Sequence, residues 1–220
     1  MSINSTDKFD IVVAGSGLGG LYAAARLVKE NKKVLLLEKH LIVGGYASYF
    51  KRKGFRFETS LHALDGLWGD KIGNMAYFDE FDLSDSLSFI RLHEFFRVVG
   101  ADLDITIPDT VEGAKAAYLK ECPDEKEAID EFFRISEKIY HQIMKIRGFS
   151  PKELLNLPKV VYTYWDVIKN FRGDVESFLA KITDNERLKQ LIGVNISYYH
   201  DDPFKYSVLH FLAAQAMFFG

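Results

Sequence analysis

Residues 11–48 read IVVAGSGLGGLYAAARLVKENKKVLLLEKHLIVGGYAS. One glycine cluster, Gly15–Gly20, comes before Glu38 and a second, Gly44–Gly45, after it. Phe9-Asp10-Ile11-Val12-Val13-Ala14 is a short β-branched run, which predicts a buried parallel strand. Leu21-Tyr22-Ala23-Ala24-Ala25-Arg26-Leu27 is rich in strong helix formers, and Asn31-Lys32-Lys33 ends that helix. Val34-Leu35-Leu36-Leu37 predicts a second buried strand that closes on Glu38. The stretch is therefore a βαβ unit.

Each part of this unit has a physical task. Gly15 permits a tight turn out of the strand, Gly17 lets backbone approach a pyrophosphate, and Gly20 lets the helix pack near the strand. The free N–H groups of the new helix, with its dipole, hold an anion. Glu38 stands about eighteen residues beyond Gly20, where a carboxylate accepts hydrogen bonds from an adenosine ribose. Nicotinamide and flavin dinucleotides share that adenosine half, so the first cluster leaves both open. Gly44-Gly45 would bring a second stretch of backbone onto the same dinucleotide.

The remaining composition narrows the alternatives. Hydrophobic residues make up 48% and charged residues 27% of the 220, which reads as soluble and globular. A net charge of −3 gives no electrostatic case for nucleic acid. One cysteine, Cys122, excludes a disulfide framework and a cysteine-built metal site, and fits a reducing, cytoplasmic compartment. Cys122 reads as a structural or incidental thiol. His93, His141, His200 and His210 are too scattered to predict a metal site. The opening MSINSTDKFD has no cluster of positive charge and reads as no signal peptide. No run of about 18 apolar residues predicts a membrane span.

Beyond Gly45, Phe50–Glu58 predicts two short strands around a basic, glycine-containing turn. Phe95–Ile107 predicts a hairpin turning at Gly100-Ala101, and Thr110 a helix cap before Val111. Pro123-Asp124 opens a long helix to about Arg147, ended by Gly148, with Ile129, Phe132, Phe133, Ile135, Ile139, Ile143 and Ile146 near one side. Helices are expected over 160–170, 174–182 and 185–192, and a last one from near Pro203 to Phe219. Tyr198–Asp202 reads equally as a pocket wall or a helix–helix turn. Apolar helix faces suit a tunnel for a long substrate, although core packing is the commoner cause of such stripes. Lys51-Arg52-Lys53 reads as a solvated turn rather than an anchor to anionic lipid, so membrane contact is at most peripheral.

The stretch VVAGSGLGGLYAAARL…VLLLEKH…GGYASYFKRKGFRFETSLHAL resembles the opening of flavin-dependent oxidoreductases of the phytoene desaturase, carotenoid isomerase and retinol saturase type, within the amine oxidase-like superfamily. The resemblance is strong over residues 9–65. It implies FAD as cofactor, held by Gly15, Ser16, Gly17, Leu18, Gly19, Gly20, Glu38, Lys39, Gly44, Gly45, Tyr46 and Ala47. Ser60, Leu61 and His62 are implied to approach the isoalloxazine. Many such proteins carry arginine straight after the glycine pair; Tyr46 here takes away one phosphate partner. His62 is the one candidate for chemistry, as a hydrogen-bond donor or proton shuttle. A satisfied histidine at a strand end explains it as well.

The expected fold class is α/β. A Rossmann-like FAD-binding βαβ domain over 1–70 is joined to an α+β, largely helical substrate-domain portion over 71–220. The implied activity is desaturation, saturation or isomerisation of an apolar polyene or isoprenoid. Amine oxidation, and a flavin-binding module without turnover, are the rival expectations. Proteins of this type are considerably longer, so 1–220 is expected to be the N-terminal part of such a protein. Val208–Phe219 is then expected to lie uncovered and to promote self-association or docking of a complementing chain.

Overall fold

The computed structural model describes residues 7–59, 64, 75–146, 150, 155–202 and 205–219. Two compact units are present: one holds the described residues up to Ser86, the other those from Leu87 on.

In the first unit, β1 (Ile11–Ala14) leads through the glycine turn to α1 (Leu18–Lys29) and back to β2 (Val34–Leu37). β1 and β2 pair in parallel, Ile11 opposite Val34 and Ala14 opposite Leu37. Asn31 adopts a left-handed φ of 61°, which turns the chain out of α1. Both strands were expected to be buried, yet Val12 is 58% exposed and β1 alternates between half-buried and exposed. The physical reason is that α1 covers one face of a two-stranded sheet.

β3 (Tyr49–Arg52) and β4 (Phe55–Glu58) form an antiparallel hairpin. Its turn residues Lys53 and Gly54 both have positive φ, 49° and 85°, which suits the right-handed strand twist. Phe50 and Phe57 stack across the pair with ring centres 5.1 Å apart.

A further helix, α2 (Met75–Glu80), had no counterpart in the sequence reading. Its position depends on partners in α1: Arg26 pairs with Glu80, and Tyr22 Oη donates to Glu80 Oε2 at 3.1 Å. Tyr22 also meets Tyr77 and Phe81 edge-on at 5.9 and 5.4 Å.

The second unit opens with an antiparallel hairpin, β5 (Glu94–Val99) and β6 (Asp104–Pro108). Thr110 caps α3 (Val111–Glu121), accepting from the Gly113 N–H at 3.1 Å. α4 (Lys126–Ile146) starts slightly later than expected, and Gly148 lies outside the described residues. Its buried seam holds Ile129, Phe132, Phe133 and Ile139, but Ile146 is half exposed at the rim. Two polar side chains share the seam. Ser136 Oγ donates back to the Phe132 carbonyl at 2.8 Å. Gln142 donates to Asp166 at 2.8 Å and accepts from the Val167 N–H at 3.1 Å.

That contact explains a difference from the expected helix over 160–170. The segment is two helices, α5 (Leu157–Thr163) and α6 (Trp165–Asn170), with the break at buried Tyr164. Gln142 satisfies an N–H in the first turn of α6, a need that every new helix creates.

α7 (Val175–Ile182) and α8 (Glu186–Gly193) are capped by Asp174 and Asn185. A 3-10 turn, Val194–Tyr198, follows, and α9 runs Val208–Phe219. α9 begins five residues after the expected start near Pro203. It is also not left uncovered: it packs along α4 and against α6 and α7. Phe211 and Leu212 are fully buried, and Phe219 meets Phe133 at 5.5 Å. Val208, Phe211, Leu212 and Phe219 of α9 belong to the core of this unit, with Leu209 and Phe218 packed against it. Burying each large side chain of this kind contributes about 1.5–3 kcal/mol.

Candidate functional site

The turn between β1 and α1 is built on glycine geometry. Gly15 has φ 97° and its N–H donates to the Leu37 carbonyl at 2.7 Å, so the parallel ladder extends into the turn. Gly17 is the N-cap of α1 and supplies no side-chain cap to the first turn, which carries no acidic residue. Leu18 and Gly19 are exposed there, and a Cβ built on Gly17 or Gly19 would meet nothing within 4 Å. The helix N-terminus is thus open to an anion. Gly20 is the opposite case: a Cβ there would stand 2.0 Å from the Gly15 carbonyl oxygen. The first turn of α1 lies on the backbone that leads into it.

Glu38, at the end of β2, turns back onto that loop. Its Oε2 accepts from Ser16 N–H at 2.8 Å and from Ser16 Oγ at 2.6 Å. Its Oε1 accepts from the His40 N–H at 2.8 Å. The Ser16 hydroxyl, helped by the His40 and Ser16 N–H groups, holds the Glu38 carboxyl down at about 2. Glu38 is therefore ionised at neutral pH and half-buried, ready to accept hydrogen bonds.

The second glycine cluster closes on the first. Gly44 N–H donates to the Ser16 carbonyl at 2.8 Å, and Gly17 and Gly44 form a parallel bridge. Gly44 and Gly45 have φ of 114° and 61°, in the region that favours glycine. Beside them Ala47 is half-buried, while Lys39 is exposed and Tyr46 is 87% exposed. Ser60, Leu61 and His62 lie outside the described residues, and so does any role assigned to them.

The sequence reading placed Ser16, Glu38 and Gly44 in one site but missed the bonds among them. It also missed the His40 N–H, for which the signal is only its place two residues beyond the acid.

Elsewhere, among the described residues, no group of three histidine, cysteine or carboxylate side chains could hold a metal. Cys122 is buried in the core, and burial pushes its thiol up, with Glu125 adding to the effect. A cleft between α4, α5 and α6 carries Tyr162 and Trp165, and three of its polar residues are paired with one another: Lys138 and Gln142 both bond Asp166. Among the described residues, no helix is long and apolar enough to cross a membrane.

Residues 13–81 match the NAD(P)-binding Rossmann-like domain family. The chain is 32% identical over 139 residues to a chloroplastic prolycopene isomerase of an Oncidium hybrid, covering 54% of this chain and 23% of that protein. It is 33% identical over 157 residues to the zebrafish all-trans-retinol 13,14-reductase, covering 68% and 26%. With the human all-trans-retinol 13,14-reductase the identity is 45% over 67 residues, 30% of this chain and 11% of that one. The chain thus spans about a quarter of the length of the first two of these relatives. A crystal structure of the Rab GDI from Plasmodium falciparum superposes with a TM-score of 0.56 at 12% identity, over 96% of this chain and 49% of the other. At that identity the likeness is one of fold alone.

Proposed function

We propose, on the premise that this chain belongs over its N-terminal part to the family of prolycopene isomerases and all-trans-retinol 13,14-reductases, that it holds FAD and serves redox chemistry on an apolar polyene. The observation that carries the reading is the meeting of three elements at one place. These are the open N-terminus of α1, the ionised Glu38 carboxylate, and the Gly44–Gly45 pair bonded back onto Ser16.

In this reading the N–H groups at the start of α1 bind the pyrophosphate and Glu38 accepts from the adenosine ribose. Gly45 brings a second backbone segment to the same dinucleotide, which favours FAD over a nicotinamide cofactor. A bound flavin supplies hydride transfer; the protein supplies binding, orientation and electrostatics. In this reading residues 1–70 belong to the cofactor region and 71–220 to a substrate domain. The family resemblance assigns Ser60, Leu61 and His62, which lie outside the described residues, to the flavin side of the site, with His62 the candidate proton donor. The reactions such a site would serve are desaturation, saturation or isomerisation of the polyene.

The test is to denature the purified protein and identify what it releases. FAD in the supernatant is the expected result. Release of no flavin, together with tight binding of NADH at this site, would overturn the assignment.

A further inference from the structure

We propose that Ser16 is a positioning residue of the dinucleotide site: it fixes Glu38 and joins the two glycine clusters, without touching the ligand itself. The inference deepens the reading above and rests on it for the identity of the ligand, a dinucleotide with free ribose hydroxyls.

The geometry assigns each polar group of Ser16 a partner within the protein. Its N–H and its hydroxyl both donate to Glu38 Oε2, at 2.8 and 2.6 Å. Its carbonyl accepts from Gly44 N–H at 2.8 Å. The residue is 0% exposed, so no atom of it offers a surface to a bound molecule. A serine in a glycine-rich phosphate loop would ordinarily be read as a phosphate ligand; here its hydroxyl points to the acid at the end of the neighbouring strand.

The consequence for Glu38 follows from counting acceptor sites. A carboxylate oxygen accepts about two hydrogen bonds. Two donors from Ser16 fill Oε2, and the His40 N–H takes one site on Oε1. Oε1 is therefore the oxygen with capacity for a ribose hydroxyl. Its direction is set because Oε2 is held from the other side. Without the Ser16 hydroxyl the carboxylate keeps its charge and its two backbone donors but loses the shorter of the two bonds that hold Oε2, so its rotation is held less firmly.

A contacting residue and a positioning residue behave differently in a double-mutant cycle. Ser16→Ala, which removes one oxygen from a site with no exposed surface, should weaken FAD binding about three- to tenfold. In a Glu38→Ala background the same substitution should change FAD affinity by less than about twofold, because the group that Ser16 positions is gone. A full and additive loss in that background would mean that Ser16 contacts the ligand, and would overturn the proposal.

A second readout needs no cofactor. Carbon-13 NMR of glutamate carboxyls in the ligand-free protein follows the titration of Glu38 directly. Its midpoint should move up towards the ordinary carboxylate range in Ser16→Ala. An unmoved midpoint would show that the hydroxyl does not hold the carboxylate, and would sink the idea whatever the cofactor proves to be. Failure of the wild-type protein to bind FAD, with the Glu38 midpoint still shifting in Ser16→Ala, would overturn the flavin reading and leave the positioning role standing.

Discussion

Gly45 packs against Gly17 so closely that a Cβ at position 45 would lie 3.0 Å from the Gly17 Cα. The two glycine clusters, separated by a helix and a strand, are in backbone contact. Gly45→Ala meets two penalties. The left-handed φ of 61° disfavours a side chain by about 1–2 kcal/mol, and the added methyl pushes on a backbone atom. The variant should lose about 1–3 kcal/mol of stability in urea denaturation. Its FAD affinity should fall as well. Unchanged stability and unchanged affinity together would mean that the clusters are not in contact.

Neighbouring glycines should respond with opposite signs. At Gly20 a Cβ would overlap the Gly15 carbonyl oxygen at 2.0 Å, a backbone atom rather than a flexible side-chain end that could yield. Gly20→Ala should cost about 2–3 kcal/mol. At Gly19 nothing lies within 4 Å and the residue is helical. Gly19→Ala should be neutral or stabilising by up to about 1 kcal/mol. Thermal melts of the ligand-free proteins compare the two directly.

Glu38 gives a pH dependence with a definite sign. Its folded carboxyl sits at about 2, below the ordinary 4.5, so the unfolded chain binds more protons between those values. Its contribution to stability is complete above the unfolded value and is lost as pH falls from about 4.5 towards about 2. Urea midpoints measured from neutral pH down through this window should fall less steeply in Glu38→Gln than in the wild type. Parallel curves would mean that the Ser16 and His40 bonds do not hold the carboxylate in solution.

Gln142 is nearly inaccessible and serves both Asp166 and the Val167 N–H. Gln142→Leu should cost about 1–3 kcal/mol because it leaves that N–H without its partner. Lys138 reaches the same carboxylate at 2.9 Å from a half-exposed position. Burial works to raise the Asp166 carboxyl, but the bonds from Lys138 and Gln142 outweigh it and hold it low. Lys138→Met should cost under about 1 kcal/mol, as is usual for an ion pair open to water. Chemical denaturation that ranked the two in reverse order would show that charge, not the buried hydrogen bonds, holds α4 against α6.

The parts that were legible in the chain are those whose cause is local. Gly15, Gly44 and Gly45 occupy backbone angles that side chains disfavour, and glycine announces such positions by itself. The β1–α1–β2 order follows from periodicity and residue type, and Thr110 was readable as a cap because its acceptor serves an N–H three residues on. The place of Glu38 at the end of β2 was readable from the apolar run Val34–Leu37 that precedes it.

What the chain did not disclose depends on partners far along it. The break at Tyr164 follows from Gln142, twenty-five positions before the N–H it satisfies. α2 is held through Glu80, fifty-four positions beyond Arg26. The apolar run of α9 looked exposed because nothing in it says that the seam of α4 will cover it. The resemblance implied only that Ser16 helps hold the cofactor; the fold brought Glu38, twenty-two positions away, to within 2.6 Å of its hydroxyl. Backbone preference acts over one to four residues and is written in residue type. Which acceptor a buried donor finds depends on how whole helices and strands pack, and there the tertiary structure had the decision.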